Sequence, residues 1–174
     1  PDNAHHLPCD LTSDESVDDT LAEIRSDFGE AIASVVHLAA YYDFSGERTP
    51  LYEDLTFSGT RRLLYGLRKF KLVRFLFTAS SPVDAEWDYP RSKLKTEQLI
   101  AAESSAPAVV LRLAGVYDEE CHSIPLAQQI SRIYEKQLES YLFPGDKTHG
   151  QSFIHLDDAI DCVRSAVALQ AKLS

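Results

Sequence analysis

Twice in this sequence a tyrosine stands four residues ahead of a lysine, Tyr65 with Lys69 and Tyr89 with Lys93. On a helix that spacing puts a phenol and an ammonium on one face. The cation favours the phenolate and draws its pKa down from about 10, which suits a general acid or base acting on a hydroxyl or carbonyl. Ser80 and Ser81 close an apolar run ahead of the second pair, and a hydroxyl there can polarise the same substrate oxygen. The bare pattern is not specific, so position decides between the two copies. Tyr65 and Lys69 end a helical stretch that leads into a strand, and they read as a surface pair. Tyr89 and Lys93 open the helix that follows the strand ending at Ser80.

The elements that must hold these groups follow from periodicity. Val17, Leu21, Ile24 and Phe28 form a helical stripe introduced by Ser13 and Asp14, predicting a helix over 14–28. Val35 to Ala40 is nearly continuous in apolar character, as in a strand covered on both faces. Leu51, Leu55, Leu63, Leu67 and Phe70 predict one helix, with Gly59 on the face where a neighbour comes close. Leu72 to Ala79 reads as a strand, Tyr89 to Ala102 as a helix, and Ala108 to Ala114 as a strand. Beyond Gly115 come a loop with Asp118, Glu119 and Glu120, a helix carrying Leu126, Ile130, Ile133 and Leu138, a turn at Pro144-Gly145-Asp146, and a last helix from Asp157. Alternating strands and helices imply an α/β fold on a parallel sheet, whose ligands gather at the carboxyl ends of strands. Ser80, Ala40 and Gly115 all fall at such ends.

Composition bounds the function. The 174 residues, 44% hydrophobic and 25% charged, suffice for one domain-sized core. A net charge of −10 without a basic stripe argues against nucleic acid as a partner. No apolar run reaches membrane-span length, and the start lacks a signal-peptide pattern, so a cytoplasmic protein with small-molecule ligands and no membrane partner is expected. Cys9, Cys121 and Cys162 are scattered and odd in number, which predicts buried, reduced thiols. His37 reads as a packed core histidine and His5 and His6 as strand edge or loop. Asp118 to Glu120 read as a solvated loop, and His155 with Asp157 as too few ligands for a metal, Asp157 being a helix cap.

Six segments in order resemble the NAD-dependent epimerase/dehydratase branch of the extended short-chain dehydrogenase/reductase family. They are Val35 to Ala40, the Gly59-Thr60-Arg61-Arg62-Leu63-Leu64 helix start, Phe77 to Ser81, Tyr89-Pro90-Arg91-Ser92-Lys93 with Glu97, Leu111 to Tyr117, and Phe153 to Ala159. The resemblance implies a Rossmann-like doubly wound parallel sheet that lacks its first βαβ part and carries a small substrate-side C-terminal portion. It divides the chain into 1–115, a partial NAD(P)-binding domain, and 116–174, a substrate-side segment with a returning helix. It implies Tyr89 as acid/base, Lys93 also on the nicotinamide ribose, and Ser80 on the substrate oxygen, with Ser81 or Thr78 as substitutes. Asp10 and Leu11 would border the adenine. Leu38, Ala39, Ala40 and Ala114 would line NAD or NADP, and Ser81, Gly115, Val116 and Tyr117 would face the substrate, a nucleotide-sugar or similar alcohol. A homodimer through the helices of 51–70 and 89–102 is implied as well.

The sequence departs from that pattern in identifiable places. It has no G-x-x-G-x-x-G phosphate-binding turn and no methionine, only eight residues separate Ser80 from Tyr89, and Thr56 stands where asparagine is usual. Segments are therefore expected to be missing at the front, after Asp84 and at the end. The competing reading is a non-catalytic dinucleotide-sensing or scaffold module on the same fold.

Overall fold

The computed structural model describes residues 4–43, 47–80, 88–142 and 152–169, so Ser81 and the turn at Pro144-Gly145-Asp146 lie outside the described residues. The first helix, α1 (Asp14–Phe28), starts where the Ser13 hydroxyl accepts from the Ser16 N–H and ends at Gly29, whose φ of 88° disfavours any side chain. β1 (Ala31–Ile32) and β2 (Val35–His37) follow, then a π-helical turn (Tyr52–Ser58) that runs into α2 (Gly59–Leu67). β3 (Lys71–Leu72), β4 (Phe75–Ser80), α3 (Asp88–Glu103) and β5 (Ala108–Leu113) complete the larger part. β6 (Gly115–Tyr117), α4 (Ile124–Tyr134), a 3-10 turn (Leu138–Tyr141), β7 (Phe153–His155) and α5 (Leu156–Ala168) make up the rest.

Every strand pairing among the described residues is parallel. β4 lies between β2 and β5, β1 pairs with β3, and β6 with β7. Ala31 opposes Lys71 and Val35 opposes Phe75, so β1–β3 and β2–β4 keep one register. The Val73 and Val35 N–H groups carry that ladder across the gap, donating to the Ile32 and Arg74 carbonyls. Central β4 is buried along most of its length, and Phe75, Phe77 and Ala79 join Val17, Leu21, Leu64, Leu67, Leu99 and Ile100 in one core. Burying side chains of this size stabilises by roughly 1.5–3 kcal/mol each before entropy is counted.

The structure alters several expectations from periodicity. The strand at Val35 stops at His37, and Leu38 to Ala40 run on outside it, with Leu38 60% exposed. The predicted single helix from Leu51 is a π-helical turn followed by α2. The wider turn puts Tyr52, Thr56, Thr60 and Leu64 on the buried face in place of Leu51 and Leu55, while Leu67 and Phe70 are buried as the stripe predicts and Leu63 packs against the core from its edge. The helix after Gly115 ends at Tyr134, and Leu138 belongs to the 3-10 turn. All three cysteines are free but exposed rather than buried, because each sits on a loop or an outward helix face.

Gly59 does sit against a close neighbour: a Cβ there would come 3.0 Å from the Leu11 Cβ and 3.1 Å from its carbonyl oxygen. Arg74, just 4% exposed at the start of β4, donates to the carbonyls of Ala166 and, at 3.1 Å, Val167, closing the C-terminal end of α5. Arg74→Met keeps the volume but leaves those carbonyls unpaired. Chemical denaturation should show a loss of about 2 kcal/mol, with α5 exchanging its amides first. Unchanged stability would mean that the guanidinium does not hold this helix.

Candidate active site

Tyr89 and Lys93 stand in the first turns of α3, which packs along β4, and each has a different neighbour from the one the spacing suggests. Lys93 is 2% exposed, its Nζ donates to the Thr78 carbonyl at 2.8 Å, and it lies 4.6 Å from the Phe77 ring centroid and 5.8 Å from that of Tyr89. Burial lowers its pKa to about 8, against the opposing pull of Glu97. Tyr89 is covered by Tyr42, whose ring centroid is 4.5 Å away, and by Tyr52 at 6.5 Å. Burial first, then these two phenols, raise its pKa to about 12. The expected lowering of the Tyr89 pKa is therefore reversed in the chain by itself: the ammonium is spent on a strand carbonyl while aromatic rings partly cover the phenol.

The other copy lies on the surface, as expected, but its two members have separate partners. Tyr65 is exposed beneath the Arg68 guanidinium, and Lys69 bonds Asp18 at 3.2 Å.

Several motif residues have structural partners that explain their type. His37, buried and with its pKa lowered to about 4 by burial and by Lys93, pairs through Nε2 with the Thr60 hydroxyl at 2.9 Å. Thr60 donates to the Thr56 carbonyl, which also accepts from Thr96, while the Thr56 hydroxyl accepts from the Tyr41 N–H. One buried residue thus joins the segment after β2, the π-helical turn and α3. Glu97 takes a two-pronged contact from Arg112, at 2.7 and 3.1 Å, tying α3 to β5.

Ser80 ends β4 opposite Leu113, and Ala114 follows that strand. Gly115 to Tyr117 form β6 against Phe153 to His155, and a Cβ on Gly115 would meet the Phe153 ring at 3.0 Å. Asp10 is exposed with its carboxylate on Thr12, and Leu11 offers its carbonyl to Arg62 at 3.1 Å. The cap of α5 is His155, whose Nδ1 accepts from the Asp157 N–H, rather than Asp157. Asp118, Glu120 and His122 bring their ligand atoms within 4.8 Å of one another around an Asp118–His122 hydrogen bond of 2.6 Å, a closer grouping than a solvated loop suggests. The site also holds residues that the sequence reading passed over: Tyr41, Tyr42 and Tyr52, of which the Tyr41-Tyr42 doublet directly after Ala40 was the available signal.

The model of the NAD dependent epimerase/dehydratase family matches residues 2–172. Sequence comparison with curated proteins returns no match. Among solved structures, UDP-glucuronic acid 4-epimerase from Bacillus cereus, in complex with UDP-glucuronic acid and NAD, superposes with a TM-score of 0.69 at 22% identity over 88% of this chain and 54% of that one. MoeE5, in complex with UDP-glucose and NAD, gives 0.71 at 21% identity over 97% and 60%. WbmG from Bordetella bronchiseptica, in complex with NAD and UDP, gives 0.70 at 18% over 92% and 53%. The chain thus spans about half the length of these structures, which share its Rossmann-type α/β fold.

Proposed function

Because this chain belongs to the NAD dependent epimerase/dehydratase family, we propose that it carries the acid/base residues and part of the cofactor-binding surface of an enzyme that oxidises and re-reduces a hydroxyl of a nucleotide-linked sugar. The observation that carries the reading is the placing of Tyr89 and buried Lys93 on α3 beside the C-terminal half of β4. NAD, when bound, would supply the acceptor and donor of the hydride. Tyr89 removes the hydroxyl proton as the carbon is oxidised and gives it back on reduction. Ser80, or Ser81 in its stead, hydrogen-bonds the same oxygen, and Lys93 turns its ammonium from Thr78 towards the ribose and the phenol.

The residues present suit that cofactor in part. Leu38 and Ala39 leave an exposed apolar surface beyond β2 for a flat ring or ribose, and Lys93 supplies the cation beside it. Asp10 and Leu11 would flank the adenine, Ala40 and Ala114 the remaining wall, and Gly115, Val116 and Tyr117 the substrate. Residues 1–115 would then form the cofactor side and 116–174 the substrate side. No glycine-rich turn in this sequence provides for the pyrophosphate.

A test uses the complete polypeptide with NAD and, in turn, UDP-glucose, UDP-galactose and UDP-glucuronic acid. The expected result is a new anomeric proton signal from a product sugar, or absorbance of reduced nicotinamide. Saturable NAD binding with neither signal would replace the proposal by the non-catalytic dinucleotide-sensing reading, which the high pKa of Tyr89 favours.

A further inference from the structure

A cavity of about 330 Å³ opens between the π-helical turn and the first turns of α3, with Arg48, Tyr52, Glu53, Asp88, Arg91 and Lys95 in its wall. We infer that this cavity is an anion subsite that takes a phosphate or carboxylate group. Its wall sets three cations against two carboxylates, a net positive lining in a chain whose net charge is −10. Two of the cations are paired, Arg91 with Asp88 at 3.7 Å and Lys95 with Glu53 at 3.0 Å. All four of those side chains are substantially exposed, and such pairs are worth roughly 0–1 kcal/mol, so a divalent anion can exchange for a carboxylate at little cost. Arg48 has no ion pair among the described residues, which leaves its planar fork to grip two oxygens at once. Tyr52 connects this cavity to Tyr89, since its ring is both part of the wall and in edge contact with that phenol.

The inference does not depend on Tyr89 being catalytic, and its first test is independent of turnover. Inorganic pyrophosphate is titrated into the complete polypeptide while the arginine side-chain N–H signals are followed by NMR, with sodium chloride at matched ionic strength as control. Saturable shifts confined to Arg48 and Arg91 are expected. Arg48→Gln should weaken binding about tenfold, and Arg48→Lys less, because it keeps the charge but not the fork. Arg48 is exposed, so neither variant threatens the fold. Shifts no larger than those in sodium chloride, or the same affinity in Arg48→Gln, would overturn the inference. Pyrophosphate inhibition competitive with the nucleotide-sugar would identify the bound group as the substrate's own diphosphate. Binding without competition would identify a separate small anion.

Discussion

Lys93→Met is expected to stabilise the protein at pH 7 by about 2 kcal/mol while abolishing turnover. Lys93 is buried, and its pKa is lowered from 10.5 to about 8 chiefly by desolvation. At 1.36 kcal/mol per unit, keeping it charged in the fold costs about 3 kcal/mol, against about 1 kcal/mol returned by its bond to the Thr78 carbonyl. Methionine fills the space and removes the charge. The pH dependence separates this account from ordinary repacking. Between pH 8 and 10.5 the folded lysine is already neutral while the unfolded one still holds its proton, so the unfolded state binds more protons and wild-type stability rises. The advantage of Lys93→Met should therefore be full below pH 8 and shrink as pH climbs through that window. Urea denaturation at pH 7 and pH 10 measures it, and an advantage that is absent at pH 7 or indifferent to pH would refute the cost assigned to this ammonium. A residue that destabilises its own fold fits retention for chemistry.

That tension marks the boundary between what residue patterns revealed and what they did not. Helix α1, the α3 helix and the strands around Ser80 and Leu113 were legible because each is long or strongly periodic, and one apolar face meets one core. The π-helical turn was not, since a stripe of leucines at helical spacing looks the same whether or not one wider turn shifts its phase. It is this shift that puts Thr56 inside, where its carbonyl and hydroxyl collect bonds from Thr60, Thr96 and Tyr41. The spacing of Tyr89 and Lys93 correctly predicted a shared helix, but spacing carries no information about a third group. The Thr78 carbonyl and the Tyr42 ring, distant in sequence, decide where the ammonium points and how wet the phenol is. Charge and periodicity likewise had no means of exposing the cysteines, which depend on which helix faces and loops remain uncovered.

Tyr89→Phe should lower kcat by about 10²–10⁴-fold, the range for losing a positioned acid/base, with NAD affinity and stability nearly unchanged. The hydroxyl makes no hydrogen bond among the described residues, so its removal leaves no buried partner unsatisfied, and the ring keeps its contacts with Tyr42 and Tyr52. An equal loss in kcat and in folding stability would instead assign Tyr89 to packing. The covering ring supplies a second arm. Tyr42 contributes to the raised pKa of Tyr89, after burial, by lying over it. Tyr42→Ala admits water to the phenol and lowers that pKa, so the limb of kcat that rises as the phenolate forms should move to lower pH. In Tyr89→Phe the same limb should vanish, and adding Tyr42→Ala to it should shift nothing. A limb that persists without the Tyr89 hydroxyl, or that ignores the loss of Tyr42, would place the titrating base elsewhere.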